Sequence, residues 1–241
     1  MLQLNAEMLE LLEEDYQKFE QYFINHKYPL INPDFSPNLR NGQQFHLLMQ
    51  QLIMGLPIEP FLETYPEMAH WVQQLYPIIN IPAQKKQCNI SREMLIGDCQ
   101  LIAHYDLLIE GGEKVIAVDW TTKKHIPQPE KLEKSCQTQL QLFLLTETLE
   151  IIADNISITY CFVNGDDYPT IYQFNYSQEK HDAFIERLAM TLSKLPTTSN
   201  TNYSHLSARN SMNEHELNLQ KFFQGEMSPA EYIDTVPEVR I

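Results

Sequence analysis

Two runs of β-forming residues separated by a Gly-Gly pair constrain this chain more than any other feature. Cys99–Ile109 reads CQLIAHYDLLI, Lys114–Thr121 reads KVIAVDWT, and Glu110-Gly111-Gly112-Glu113 stands between them. A glycine pair between two such runs predicts an antiparallel hairpin, because the tight turns that match strand twist need backbone angles that glycine adopts freely. Centring the turn on Gly111-Gly112 sets Glu110 opposite Glu113 and Asp106 opposite Ala117. Side chains alternate along a strand, so Asp119 shares a face with Asp106 as its diagonal neighbour, roughly 6–8 Å away. The other face carries Leu101, Ala103, Leu107, Ile109, Ile116 and Val118 and must be covered.

Two acids in a hairpin that otherwise reads as buried are the exceptions to explain. An unpaired buried carboxylate is costly, and a cation relieves the cost. Two carboxylates at this spacing suit one hard divalent ion, which prefers oxygen ligands and keeps several waters. The other reading leaves Asp106 and Asp119 at exposed strand ends, or paired with Lys123 and Lys124. His104 and Thr121 lie on the acids' face. Lys123 follows on that face if the strand continues, about 7 Å beyond Thr121, while Lys124 points away.

Helical periodicity dominates on either side of the hairpin. Leu4, Met8, Leu11, Leu12, Phe19, Tyr22 and Phe23 predict a helix over 3–25. A Pro- and Asn-rich loop over 28–41 precedes a helix over 42–54, stopped by Gly55 and Pro57. A further helix over 59–75 closes at Pro77. Beyond the hairpin come a loop with Pro127 and Pro129, a long helix over 130–153, strands over 156–163 and 170–177, and a helix over 178–195. This order predicts an α/β fold, a mixed central sheet flanked by helices. The Ser-, Thr- and Asn-rich stretch 196–213 reads as a polar linker and 214–241 as a helical tail, leaving 1–195 as the domain.

Composition narrows the function classes. A net charge of −15 argues against a broad phosphate-binding surface, though not against a local basic groove or a metal-bridged contact. No apolar run approaches the length of a membrane span, and the acidic N-terminus is neither a secretory signal nor a transit peptide, so a cytoplasmic protein without membrane contact is expected. Cys88, Cys99, Cys136 and Cys161 are too scattered for a zinc site, a disulfide framework or an iron–sulfur cluster.

Four motifs, taken in order, carry a resemblance. They are Gly42-Gln43-Gln44-Phe45-His46, Gly97-Asp98…His104-Tyr105-Asp106-Leu107-Leu108, Val118-Asp119-Trp120-Thr121-Thr122, and Gln137-Thr138-Gln139-Leu140-Gln141-Leu142-Phe143. Over residues 40 to 190 the chain resembles the RecB-like branch of the PD-(D/E)XK nucleases, closest to a bacterial subgroup with an Asp-Trp-Lys-Thr core motif. The resemblance implies a restriction-endonuclease-like core in which Asp106 and Asp119 bind Mg²⁺ or Mn²⁺. It implies that His46 adds a ligand or orients one, and that Gln137 positions substrate or braces the site.

Two positions depart from the pattern. The motif lysine is Thr121, which carries no charge and is a poor base, and Lys123 is the candidate replacement. The tyrosine position is Gln141 if the helix is read from Gln137; reading it from Gln139 keeps an aromatic at Phe143. The expected activity is metal-dependent DNA hydrolysis, with ends or single strands favoured because they need less positive surface. The competing expectation is a catalytically inactive nuclease fold that binds nucleic acid or a protein, with the C-terminal tail available to dock on a protein partner.

Overall fold

The structure, a computed structural model, describes residues 2–26, 37–163 and 168–196; of residues 37–40 it describes the backbone alone. The polar linker and helical tail expected at 196–213 and 214–241 lie, from residue 197 onward, outside the described residues, as does most of the loop expected at 28–41.

A mixed sheet organises the fold. Its strands are β1 (Leu2–Leu4), β2 (Lys85–Ile96), β3 (Cys99–Gly111), β4 (Lys114–Thr121), β5 (Ile156–Phe162) and β6 (Thr170–Asn175). The lateral order runs β2, β3, β4, β5, β6, with β1 alongside the first residues of β3. β4 and β5 are parallel, as are β1 and β3; the remaining pairs are antiparallel. The helices are α1 (Ala6–Glu14), α2 (Tyr16–Phe19), α3 (Pro37–Ile53), α4 (Glu59–Thr64), α5 (Pro66–Ile79), α6 (Pro129–Glu133), α7 (Cys136–Leu149) and α8 (Gln178–Leu192). The α/β class and the flanked mixed sheet are as the sequence predicts.

Several boundaries differ from expectation, each for a local reason. The N-terminal helix expected over 3–25 gives its first residues to β1, where Leu2–Leu4 pair with Cys99–Leu101. Asn5 then caps α1 by accepting the Met8 N–H, and Asp15 caps α2 by accepting the Lys18 N–H. Pro77 does not close α5, which runs on to Ile79 and ends where the Asn80 N–H donates to Tyr76. The helix expected over 130–153 is broken by Ser135, whose hydroxyl caps α7. β2 has no counterpart among the expected elements. It is an edge strand whose KKQCNISREMLI sequence alternates exposed and half-buried residues without an apolar stripe.

α7 is buried on nearly every side. Leu140, Gln141, Leu142, Phe143, Leu144 and Leu145 are all buried, and the helix packs on β2, β3 and β5 and is covered by α1 and α8. A second core forms where α3, α4 and α5 meet the hairpin: Phe45, Leu48, Met49, Met68, Val72 and Leu75 pack with Leu107, Val118, Trp120 and Cys161.

The hairpin register is shifted by two positions from the expected one. Gly111 pairs Lys114, Leu108 pairs Ala117 and Leu107 pairs Val118, and there the ladder stops. An even shift preserves the faces, so Asp106 and Asp119 still belong together; it also makes them direct neighbours at the end of the ladder. β3 changes course at that point. Tyr105 sends its hydroxyl to the Gln141 carbonyl in α7, while Leu107, two residues on, packs with α3 and α5. Opposite Asp106 stands Asn89, left out of the ladder, with a left-handed backbone at φ 49°. β3 and β4 thus fork at the two aspartates, and the freed edge of β3 is taken up by β1.

Candidate active site

At the fork, carboxylates replace the missing ladder bonds. The Asp106 N–H donates to Asp119 Oδ1 at 3.3 Å, and the Trp120 N–H donates to Asp106 Oδ2 at 2.9 Å. α3 brings His46 Nδ1 to Asp106 Oδ1 at 2.8 Å. α7 brings Gln141, whose Nε2 donates to Asp119 Oδ2 at 2.7 Å and to the His104 carbonyl at 2.8 Å. Among the described residues each of the four carboxylate oxygens therefore has one partner and a second lone pair to offer.

Burial raises Asp119, and the Asp106 charge raises it further, to about 7; the hydrogen bonds from Gln141 and the Asp106 N–H, and the His46 charge, oppose this. His46 is half-buried. Burial lowers its pKa, but the Asp106 hydrogen bond and the charges of Asp106 and Asp119 outweigh that and leave it raised. A protonated His46 offsets part of the negative charge the two acids bring together.

The site opens onto a cleft of about 540 Å³ lined by His46, His104, Asp106, Asp119, Thr121, Lys123 and Gln137, with Trp120, Tyr160 and Phe162 as its apolar walls. A second hollow of about 410 Å³ shares His46, Asn89, Asp106 and Trp120 with it and continues along α3 to Gln43 and Gln50.

The residues singled out by sequence converge on this place by different routes. β4 ends at Thr121, so the expected continuation of the strand to Lys123 does not occur. A tight turn, in which the Lys123 N–H donates to Thr121 Oγ1 at 3.2 Å, sets Lys123 at the same cleft instead. The turn also passes close to α3: a side chain at Gly42 would meet Thr122 Oγ1 at 3.3 Å, so glycine there lets the helix that carries His46 approach.

The two readings of the α7 motif separate clearly. Gln137 lines the cleft and Gln141 holds Asp119, one helical turn apart. Gln139 faces away, accepting from Arg187 Nη1 at 2.6 Å, and Phe143 stacks on His181. Tyr160 on β5 donates to Gln141 Oε1 at 2.9 Å and approaches Thr138 Oγ1 at 2.8 Å. Its place beside β4 follows from a parallel register that no local pattern announces: Asp119 pairs Tyr160 across the sheet.

The sequence matches the model of the PD-(D/E)XK nuclease superfamily over residues 20–205. The chain belongs to this superfamily. None of the curated proteins matches it. Among solved structures, SSO0001 is similar at 13% identity, with a TM-score of 0.40 over 96% of this chain and 88% of that one. A provisionally assigned exonuclease of Eubacterium rectale is similar at 9% identity, with a TM-score of 0.44 over 98% and 90% of the two chains.

PD-(D/E)XK nucleases generally use divalent metal ions, and the donor set here suits one in kind: paired hard oxygens with spare lone pairs, and a buried like-charge repulsion that a cation would relieve. Among the described residues no group of three or more His, Cys, Asp and Glu side chains is arranged to hold a metal ion. His46 lies against Asp106 and does not complete such a group. No helix among the described residues is long and apolar enough to cross a membrane.

Proposed function

We propose that this PD-(D/E)XK chain is a metal-dependent nuclease of the RecB-like kind, hydrolysing DNA at ends or on single strands. The observation that carries the reading is the locked pair Asp106 and Asp119, facing a cleft that also holds Lys123 and Gln137. Asp106 and Asp119 would hold Mg²⁺ or Mn²⁺ with water completing the coordination. When bound, the ion supplies polarisation of the scissile phosphate and activation of the attacking water. His46 orients Asp106 through Nδ1, fixing which lone pairs face the cleft. Gln137, exposed at the cleft wall, positions the substrate backbone.

Lys123 takes the role of the absent motif lysine. It is the one lysine or arginine lining the cleft among the described residues, and its exposed side chain is free to swing toward a bound phosphate. A single lysine at the cleft among the described residues, in a chain of net charge −15, favours ends or single strands over long duplex.

One observation favours a second reading, a nuclease fold that binds without cutting. Thr121 occupies the lysine position and its hydroxyl accepts the Lys123 N–H, so no cationic group issues from the strand at that position. Cleavage of labelled single- and double-stranded DNA with Mg²⁺ or Mn²⁺ separates the two. Cutting by the native chain that Asp119→Ala removes establishes the nuclease. No cutting by the native chain, with activity appearing in Thr121→Lys, establishes the second reading.

A further inference from the structure

Read from Gln137, the motif position expected to hold an aromatic holds Gln141 instead, and the hydrogen bonds from Tyr160 through Gln141 to Asp119 form a chain with a defined direction. Gln141 is 3% exposed, Thr138 0% and Tyr160 5%, so water does not supply partners here. The Ser135 hydroxyl donates to the Leu132 carbonyl at 2.7 Å. Thr138 Oγ1 lies 2.7 Å from the same carbonyl and 2.8 Å from the Tyr160 hydroxyl, and its one proton serves either acceptor. Tyr160 gives its own proton to Gln141 Oε1 at 2.9 Å. With its oxygen so engaged, the Gln141 amide turns both N–H bonds outward, one to Asp119 Oδ2 and one to the His104 carbonyl. A flipped amide would set Oε1 against a carboxylate oxygen and leave the Tyr160 hydroxyl facing an N–H.

Asp119 is thereby held from two sides, by Gln141 on Oδ2 and by the Asp106 N–H on Oδ1. No other donor among the described hydrogen bonds reaches Oδ2.

We infer that Gln141, steered by the Tyr160 hydroxyl, is a positioning residue that sets how Asp119 presents its oxygens to a divalent ion. The inference rests on the metal-dependent reading above. Neither residue touches the reacting atoms. Outer partners of this kind typically change metal affinity 10–100-fold when removed. Gln141→Leu takes away the donor and Tyr160→Phe takes away only the hydroxyl that orients it.

Titration calorimetry with Mn²⁺ on the full chain tests this, with melting in metal-free buffer run beside it. The expected result is Mn²⁺ binding by the native protein, a Kd weakened about 10–100-fold in Gln141→Leu and a smaller weakening in Tyr160→Phe. Tyr160→Phe decides the matter if Gln141→Leu fails to fold. Gln141→Glu, which keeps the length but not the donor, should not recover the native affinity. Native binding with unchanged affinity in the variants overturns the positioning role and leaves the metal site standing. No Mn²⁺ binding by the native protein overturns both.

Discussion

The described residues include two histidine–carboxylate pairs, and they differ in what surrounds them. His46 meets Asp106 at 2.8 Å with side chains 43% and 22% exposed, beside a second acid and a cleft. His181 on α8 meets Glu147 on α7 at 3.2 Å with both side chains 4% exposed. There the Phe143 ring stacks on the imidazole and the Tyr176 hydroxyl lies 3.3 Å from Nδ1. The sealed pair joins one acid to one base and fastens α8 to α7. The open pair sets two acids against one base where the strands part, which concentrates negative charge at a place that solvent and substrate reach. The same pairing chemistry serves cohesion in one setting and, in the function proposed above, ligand binding in the other, with accessibility and surplus charge separating them.

The largest effect expected at the open pair is on turnover. Asp119→Ala should lower DNA cleavage by at least ~10³-fold, since it removes a group on which the whole constellation depends. Steady-state rates on a labelled single strand measure it. A loss below tenfold would strip the open pair of its distinction from the sealed one. Lys123→Ala should lower the rate by ~10²–10⁴-fold, the range for a group that moves a proton or stabilises developing charge. In that variant Mn²⁺ affinity should hold steady, because Lys123 is not among the partners of either carboxylate. An unchanged rate would move the missing role to another residue of the cleft.

The sealed pair answers in stability. His181→Ala leaves the Glu147 carboxyl buried without its imidazole and opens a space under Phe143, at a cost of about 3 kcal/mol. At ~2–4 °C per kcal/mol for a chain of this size, the melting temperature should fall by ~6–12 °C. Mn²⁺ binding at the remaining fold should be unaffected. A loss of metal affinity in this variant would mean that α7 transmits the sealed pair's state to Gln141.

The two pairs were unequally legible in the sequence. The open pair could be read because its acids interrupt an apolar strand pattern at spacings that share a face. An even slip in register preserves that face, so the prediction survived a hairpin shifted by two positions. His46 was reachable only through its motif, since it lies 60 residues from Asp106 in the chain. The partnership of Gln141 with Asp119, and of Tyr160 with Gln141, depends on where α7 settles over β4 and β5, and local spacing does not encode that. β2 escaped notice for a related reason. An edge strand can be polar on its outer positions and still pair fully, so it lacks the signal that marks a buried strand. The burial of Glu147 has no local signal, because α7 is surrounded on sides that an amphipathic pattern would leave in water.

The pH dependence of stability gives the sharpest contrast. Asp119 sits at about 7 in the folded protein, well above the ordinary carboxyl value of 3.8, because of its burial and the Asp106 charge. Below about pH 4 the group is protonated folded and unfolded alike, and it costs nothing. As pH rises toward 7 the unfolded chain ionises while the folded one holds its proton, so stability falls across that window; above 7 the full penalty persists. Asp119→Asn removes the charge and keeps the shape, so in metal-free buffer it should match the native stability near pH 4 and exceed it at pH 8, by about 4 kcal/mol. Mn²⁺ at pH 8 should raise the native melting temperature and close that gap, because a bound cation offsets the same repulsion. A gain that is equal at both pH values would mean the carboxylate pair carries no surplus charge for a metal ion to relieve.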